Sequence, residues 1–164
     1  MDEPGARYVR EARIGQGGMG SVWRALDTRL RRKVALKSVT PDASEEIRQR
    51  LVQEARLAGH LTHPGVVRVL DQGIDEGGRP FYVMEILKFP LLGRGRERDL
   101  RAMVEIARTV GFAHREGLVH RDLKPSNLGL RGSQPVVADW GLARPYGEDD
   151  QWTRAVLELS LIHI

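Results

Sequence analysis

Reactive side chains are concentrated at residues 120–127, which read HRDLKPSN. These eight positions bring together an imidazole, two cations, a carboxylate and an amide, all of which carry charge or form hydrogen bonds. Pro125 lies among them and prevents the segment from continuing as a helix. A second carboxylate, Asp139, follows twelve residues after Asn127 and can return to the same place. We therefore interpret residues 120–127 as an active-site loop rather than as part of the core.

The order of these side chains fits the pattern H-R-D-L-x-x-x-N, and Asp139 begins a D-W-G triplet. On these motifs the chain resembles the protein kinase family, specifically the bacterial branch that phosphorylates serine and threonine. The resemblance extends from about Tyr8 to Thr153. It implies transfer of the γ-phosphoryl group of ATP, with Mg²⁺, to serine and threonine hydroxyls of protein substrates. It also implies an α+β fold of two lobes, in which an antiparallel five-stranded small lobe with one long helix precedes the first part of a helical large lobe.

The resemblance gives the polar residues of the loop roles in phosphoryl transfer. Asp122 would accept or orient the proton of the substrate hydroxyl, and Lys124 would neutralise charge on the transferring phosphoryl group. Asn127 and Asp139 would hold Mg²⁺, which takes hard oxygen ligands of this kind. Trp140 stands where the family usually has phenylalanine, and because it is also large and apolar it is compatible with activity.

A glycine-rich stretch at residues 14–22 contains the pattern G-x-G-x-x-G-x-V. Glycines let backbone N–H groups approach phosphate oxygens closely, but the same spacing also serves dinucleotide-binding folds, where it opens a helix. Here residues 21–23 continue as a strand, which favours a kinase-type flap, and a plain flexible hairpin is the remaining alternative. By resemblance, the residues of this stretch that contact ATP are Ile14, Gly15, Gln16, Gly17, Gly18, Met19, Gly20 and Val22.

A lysine on a predicted strand is the next candidate. Alternation along residues 34–37 places Ala35 and Lys37 on one face, which we expect to look at the nucleotide. The resemblance assigns Lys37 to the α- and β-phosphates, Ala35 to the adenine, and Glu54 to an ion pair that orients Lys37. The alternatives are an exposed lysine on an edge strand and a surface pair between Glu54 and Arg50, four residues earlier.

One helix is predicted from Asp42 to Leu61. Asp42 and Glu45 form a pair like a capping box at its start, and the buried stripe at helical spacing consists of Ile47, Leu51, Ala55 and Ala58. His60 and His63 follow three residues apart, which can suggest a metal site. With no cysteine and no carboxylate in register, a structural turn before Pro64 is the better interpretation.

Two strands are predicted at Val66–Ile74 and Phe81–Ile86, joined by a hairpin turn. By resemblance, Met84 occupies the gatekeeper position, and the backbone from Glu85 to Leu87 forms the hinge that hydrogen-bonds adenine. Two departures from the family follow. Residues 88–98 have no helical period, which shortens the rim of the cleft, and Gly129 stands where the family has a bulky apolar residue beneath the adenine.

A second helix is predicted from Asp99, as its cap, to Glu116, with Gly117 ending it in the left-handed conformation. Its buried side is predicted to consist of Leu100, Met103, Val104, Ala107, Val110 and His114. The chain then divides into a small lobe and hinge at residues 1–87, the start of the large lobe at residues 88–154, and a tail at residues 155–164 that is unlike the family. The resemblance implies a C-terminally truncated kinase with little activity or stability alone.

The composition excludes several classes of function. Net charge is +4, from 26 Lys and Arg against 22 Asp and Glu, but no aromatic residues interleave with the basic runs, so we expect no nucleic-acid partner. With no cysteine there is no thiolate metal site or cysteine nucleophile. No window is apolar enough to span a membrane. We expect a cytoplasmic location, either free or as the cytoplasmic domain of a membrane-anchored parent.

Alternatives to a protein kinase are a pseudokinase or nucleotide-binding scaffold, favoured by Gly129 and the shortened rim, and a small-molecule phosphotransferase. Arg121 beside Asp122 is the pattern of kinases that are switched by phosphorylation of the activation segment, because an arginine can pair with a phosphate. Thr153 is the candidate acceptor, with an ordinary surface threonine as the alternative. Dimerisation for autophosphorylation is a further expectation.

Overall fold

Five antiparallel strands form the main sheet of the structure, a computed structural model that describes residues 7–17 and 20–145. Their order across the sheet is β1-β2-β3-β5-β4. The predicted α+β fold with a five-stranded antiparallel small lobe is confirmed. The strands are β1 (Tyr8–Gly17), β2 (Gly20–Asp27), β3 (Arg32–Ser38), β4 (Val69–Ile74) and β5 (Pro80–Met84).

The two faces of β3 are used differently. Val34 and Leu36 are buried on one face with Ala25 and Val83. Lys37, which is one residue out of phase with them, points to the opposite face. Alternation along this strand therefore carries the lysine away from the apolar cluster, as the sequence pattern predicts.

Helix α1 (Glu45–His60) covers the Lys37 face of the sheet. Its start was predicted three residues too early. Residues 40–43 form a turn closed by a 3.1 Å hydrogen bond from the Ala43 amide to the Thr40 carbonyl. The N-cap is Ser44, whose hydroxyl accepts a hydrogen bond from the Ile47 amide at 3.4 Å. The predicted capping pair of Asp42 and Glu45 is therefore wrong.

The predicted apolar stripe of α1 packs against the sheet. Leu51, Ala55 and Ala58 are buried, and Ile47 is partly buried beside them. Glu54 is the one acidic residue on the buried side of this helix. A carboxylate is expensive to bury unless it is paired, so its partners determine what this face does.

The two hinge-side strands are shorter than predicted. β4 begins at Val69 rather than Val66, because Val66 and Val67 leave the sheet to pair with Val137; the Val67 amide donates to the Val137 carbonyl at 3.0 Å. β5 ends at Met84 rather than at residue 86. The segment between α1 and β4 thus ties the sheet to the second half of the chain.

Helix α2 (Arg96–Arg115) begins three residues before the predicted start. Asp99 is not its N-cap. Its carboxylate accepts hydrogen bonds from the Gly93 and Arg94 amides, both at 3.1 Å, and so fixes the loop that leads into the helix. Gly117 follows the helix in the left-handed conformation (φ 77°), as predicted.

Five of the six residues predicted for the buried face of α2 are exposed, including Ala107 and His114, and Val110 alone is partly buried against the main apolar cluster. Leu100, Met103 and Val104 are 59%, 42% and 52% exposed. Smaller residues allow closer packing on the opposite side, where a Cβ on Gly65 would lie only 1.8 Å from the Thr109 hydroxyl. The helix has two apolar faces, and periodicity alone does not choose between them. The buried residues are Ala102, Ile106, Thr109 and Ala113.

Short strand pairs organise the second half of the chain. β6 (Leu118–Val119) pairs with β9 (Arg144–Pro145), and β7 (Leu128–Arg131) forms a hairpin with β8 (Gln134–Val137). The loop at residues 120–127 lies between β6 and β7, so the two pairings fix both of its ends. Trp140 is fully buried in the adjoining core.

Neither helix among the described residues is long and apolar enough to cross a membrane. The candidate phosphorylation site Thr153 and the tail at residues 155–164 lie outside the described residues, as do Gly18 and Met19 of the glycine-rich stretch.

Candidate active site

Lys37 is held between two carboxylates. Its Nζ donates to both carboxylate oxygens of Glu54 at 2.8 Å and to Oδ1 of Asp139 at 3.2 Å. The side chains of Lys37 and Glu54 are only 10% and 1% exposed. The alternative partner of Glu54, Arg50, instead pairs with Glu46 on the surface. The structure therefore brings together three predicted site residues that are up to 102 positions apart in sequence.

Tyr82 completes this buried cluster and was not predicted. It lies opposite Lys37 in the pairing of β3 with β5, and its hydroxyl donates to Oε1 of Glu54 at 2.7 Å. Burial raises the pKa of the Tyr82 hydroxyl well above its usual value, so the hydroxyl remains a donor. Burial also raises the pKa of Glu54, although the neighbouring Lys37 opposes that shift. The period-2 pattern of β5 was the one sequence signal for Tyr82.

Asp139 adopts an uncommon backbone conformation, with φ 60°. Aspartate tolerates the left-handed region better than most residues, but the conformation still costs about 1 to 2 kcal/mol. Such strain is found mainly where a side chain has to be aimed at a site. In this chain the strained backbone at Asp139 accompanies the contact of its side chain with Lys37. The Asp139 side chain is 35% exposed.

The polar residues of the loop at residues 120–127 form a second, more open cluster. Lys124 Nζ donates to Oδ2 of Asp122 at 2.7 Å. The Asn127 amide nitrogen donates to the Asp122 carbonyl at 2.8 Å and to its Oδ2 at 3.2 Å. The hydrogen bond from Lys124 is the main cause that lowers the pKa of Asp122, and the same contact raises the pKa of Lys124. Asp122 is therefore an ionised carboxylate that can accept hydrogen bonds.

His120 joins this loop to the segment that carries Asp139. Its ring is buried, with Nδ1 accepting from the Asp122 amide at 3.3 Å and Nε2 lying 3.1 Å from the Ala138 carbonyl. An imidazole that accepts at Nδ1 donates from Nε2, so the ring is neutral. Burial lowers the pKa of His120, in agreement with this tautomer. The ring also packs edge-on against Trp140, with centroids 4.6 Å apart.

The Asn127 side chain is oriented so that it suits a metal ligand. Because its amide nitrogen is committed to Asp122, its oxygen is the group left to accept, and Asp139 has a second carboxylate oxygen beyond the one that Lys37 contacts. These are hard oxygen donors of the type that Mg²⁺ takes. Among the described residues, no group of three or more His, Asp or Glu side chains forms a metal site by itself. Such a site would draw further ligands from nucleotide phosphates and water.

The glycine-rich hairpin adjoins the lysine. Val22 pairs with Lys37 across β2 and β3, and Gly15 lies against Val22. Gly20 has to be glycine, because a Cβ there would lie 2.1 Å from the Ser38 carbonyl oxygen. The remaining described residues of the stretch, Ile14, Gln16 and Gly17, are exposed.

The predicted hinge follows directly from the sheet. Ala35 pairs with Met84 two residues along β3 from Lys37, so both lie on the Lys37 face of the sheet. The Glu85 amide donates to the Arg68 carbonyl at 3.1 Å, and its carboxylate pairs with Arg131 of β7. Within the described residues, no hydrogen bond engages the Leu87 amide.

His63 has a structural role in the turn that follows helix α1. His63 Nδ1 accepts from the Gly65 amide at 3.0 Å, and its ring stacks on Phe112 with centroids 4.8 Å apart. The histidine therefore stabilises the turn, which agrees with the structural interpretation.

Comparison with known proteins identifies the family. The model of the protein kinase domain matches residues 8–160. Among similar proteins, the probable serine/threonine-protein kinase SCO3848 of Streptomyces coelicolor is 39% identical over 90% of this chain and 24% of its own length. The DNA damage-responsive serine/threonine-protein kinase RqkA of Deinococcus radiodurans is 38% identical over 94% of this chain and 25% of its own.

The serine/threonine-protein kinase PknL of Mycobacterium tuberculosis is 40% identical over 85% of this chain and 37% of its own length. The chain thus spans between a quarter and somewhat over a third of these three relatives. Their names agree with the bacterial serine/threonine branch to which the motifs pointed. With its sheet, its buried lysine cluster and its HRDLKPSN loop, this chain belongs to the protein kinase family.

Proposed function

We propose that this chain carries the ATP cleft and catalytic loop of a serine/threonine protein kinase. The observation that supports this most strongly is Lys37, held in a buried position between Glu54 and Asp139. A cation fixed in this way is preorganised to meet phosphate oxygens without paying for reorganisation when they arrive. Serine and threonine of protein substrates are proposed as acceptors because the similar proteins are named as kinases of those residues.

In this mechanism Lys37 binds the α- and β-phosphates, Glu54 holds its ammonium in place, and Tyr82 holds the Glu54 carboxylate. Asp122 accepts or orients the proton of the substrate hydroxyl, whose oxygen attacks the γ-phosphorus. The bond from the γ-phosphorus to the β–γ bridging oxygen breaks, and ADP leaves with that oxygen. Lys124, which contacts Asp122 in the structure, turns to the γ-phosphoryl group and neutralises its charge. Its 50% exposure leaves it room to do so.

Mg²⁺, held by Asn127 and Asp139, would shield the charge of the phosphates and orient them. The Asn127 amide is kept in the required orientation by Asp122, so the proton-accepting residue also positions the proposed metal ligand. We further propose a cytoplasmic site of action, for a free protein or the cytoplasmic part of a membrane-anchored one, and dimerisation for autophosphorylation.

The test compares the full-length protein with its Asp122→Asn variant, using labelled ATP and a generic protein substrate. We expect the variant to lose about 10²- to 10⁴-fold in transfer rate, the usual share of a general base, with a change in ATP affinity of less than about threefold. Asp42→Asn, an exposed aspartate outside the cleft, is the matched control and should transfer normally. Equal transfer by wild type and the Asp122 variant would contradict catalysis by this loop, and ATP binding without transfer by either would indicate a scaffold.

A further inference from the structure

Gly129 faces the hinge rather than the core. It lies on β7 between Leu128 and Leu130, which are 3% and 6% exposed and belong to the main apolar cluster. Alternation along a strand therefore turns position 129 to the opposite face. Arg131, two residues further on and on the same face, pairs with Glu85, the first residue of the proposed hinge. A side chain at position 129 would thus enter the hinge end of the cleft.

That place is already taken by a residue from elsewhere in the chain. A Cβ built on Gly129 would lie 3.0 and 3.1 Å from Cζ and Cε1 of the Phe89 ring, and 2.9 Å from Cβ of Leu87. Carbon atoms do not approach so closely without displacement, so Phe89 occupies the room that a side chain at 129 would need. The glycine and the ring are complementary in shape.

The backbone holds Phe89 in this position. The preceding residue, Lys88, forms two hydrogen bonds with Leu130, one from each amide to the other carbonyl, both 2.9 Å. This bridge brings the chain directly from the hinge onto β7, so the short segment after the hinge delivers an aromatic ring beside Gly129. The ring is 52% exposed, so one side of it remains available to a ligand.

The geometry points to Phe89 as the apolar floor of the adenine site, and this inference rests on the proposed ATP cleft. Lys37 marks the phosphate end of that cleft, which leaves its hinge end, lined by Ala35 and Met84, for the base. With Ala35 and Met84 on one side of the base, its other face also needs an apolar surface to pack against. Gly129 has no side chain to provide one. Phe89 supplies that surface from the neighbouring segment, and it contributes binding energy to the base through this contact.

The experiment measures the affinities of ATP and of adenosine for the full-length protein by calorimetry. Adenosine lacks phosphates, so it reports on the base end of the cleft alone. The variants are Phe89→Ala, Phe89→Leu and Phe89→Gln, with Ile74→Ala as the matched control because Ile74 is an exposed apolar residue on β4, 72% accessible. Lys37→Met serves as the reference for the phosphate end, and thermal unfolding checks that each variant folds.

We expect Phe89→Ala and Phe89→Gln to weaken the binding of ATP and of adenosine by the same factor. That factor should be about five- to twentyfold, the scale for losing part of a large apolar contact. Phe89→Leu should stay within about threefold of wild type, and Ile74→Ala should not differ from it. Lys37→Met should weaken the binding of ATP and leave the binding of adenosine unchanged. If Phe89→Ala fails to fold, the Leu and Gln variants, similar in size but different in polarity, give the comparison.

Three results would overturn the inference. If Phe89→Ala binds ATP and adenosine as tightly as the wild type, the ring does not contact the base. Tighter binding in that variant would show that the ring obstructs the site. Weaker binding of ATP with unchanged binding of adenosine would show that the substitution acts at the phosphate end of the cleft. If the wild-type protein binds neither ligand, the proposed ATP cleft itself fails, and the assignment of Phe89 falls with it.

Discussion

Two of the lysine–carboxylate pairs in the candidate site, Lys37 with Glu54 and Lys124 with Asp122, differ mainly in their exposure. The nitrogen-to-oxygen distance is 2.8 Å between Lys37 and Glu54 and 2.7 Å between Lys124 and Asp122. The first pair has side-chain exposures of 10% and 1%, whereas the second has 50% and 28%. Equal distances therefore do not mean equal roles. The buried pair fixes the position of the Lys37 ammonium, whereas the side chains of the exposed pair remain accessible to other partners.

The pKa directions support this distinction. Burial raises the pKa of Glu54, whereas the hydrogen bond from Lys124 is the main cause that lowers the pKa of Asp122. Desolvation dominates in the first case and the local contact in the second. The buried carboxylate is held in its charged form at a cost, which agrees with a site kept for function rather than for stability.

Removing Glu54 should have the largest effect. The Glu54→Ala variant leaves a buried ammonium and the Tyr82 hydroxyl without their main acceptor, and breaking a buried pair in this way costs about 3 to 5 kcal/mol in the free energy of unfolding. Urea denaturation measures it. The matched control is Glu46→Ala on the same helix, which removes an exposed partner of Arg50 and should change stability little. Equal losses in the two variants would contradict the contrast between buried and open pairs.

The titration of Glu54 should contribute to the pH dependence of the free energy of unfolding, and we expect this effect to be smaller than that of Glu54→Ala. Because its pKa is raised above 4.5 in the folded state, the native protein binds protons at this site more readily than the unfolded chain. Its contribution to the free energy of unfolding is then greatest below pH 4.5 and is lost as pH rises through the folded-state pKa. The Glu54→Gln variant cannot titrate, so its stability should lack this fall. Urea titrations at several pH values compare the two, and identical pH slopes would show that Glu54 does not titrate in this range.

Removing Lys124 should have the smallest effect on stability, because its pair with Asp122 is exposed. We expect the Lys124→Met variant to unfold at nearly the wild-type urea concentration while its phosphoryl-transfer rate falls. Lys33→Met, which removes another exposed lysine paired with a carboxylate, should change neither quantity. A large loss of stability in the Lys124 variant would mean that the open cluster is also structural.

The sequence was sufficient for the parts of the site that depend on spacing. Strand alternation predicted that Lys37 and Ala35 share one face of β3, as the sheet shows. The pairing of Lys37 with Glu54 followed from the resemblance to the kinase family, and periodicity alone left Arg50 as an alternative partner. Residues 120–127 could be predicted to form a loop outside the core, because a proline and several charged residues rarely occur together in a core segment.

The remaining features depend on tertiary contacts whose partners cannot be identified from a local pattern. Tyr82 and His120 act through residues far away in sequence, and Phe89 fills a gap at Gly129, forty positions later. The buried face of α2 was predicted incorrectly because two apolar stripes compete, and close packing on Gly65 selects the one with small residues. Helix starts shifted because Ser44 and Gly95, rather than the nearby aspartates, occupy the caps.

The most direct test of this account is a crystal structure of the protein with Mn²⁺, in place of Mg²⁺, and a non-hydrolysable ATP analogue. We predict that Lys37 Nζ lies within about 3.5 Å of oxygens of the α- and β-phosphates, and that an anomalous peak for the metal lies against the side-chain oxygens of Asn127 and Asp139. A well-ordered nucleotide bound away from Lys37, or a metal that neither residue touches, would contradict the account.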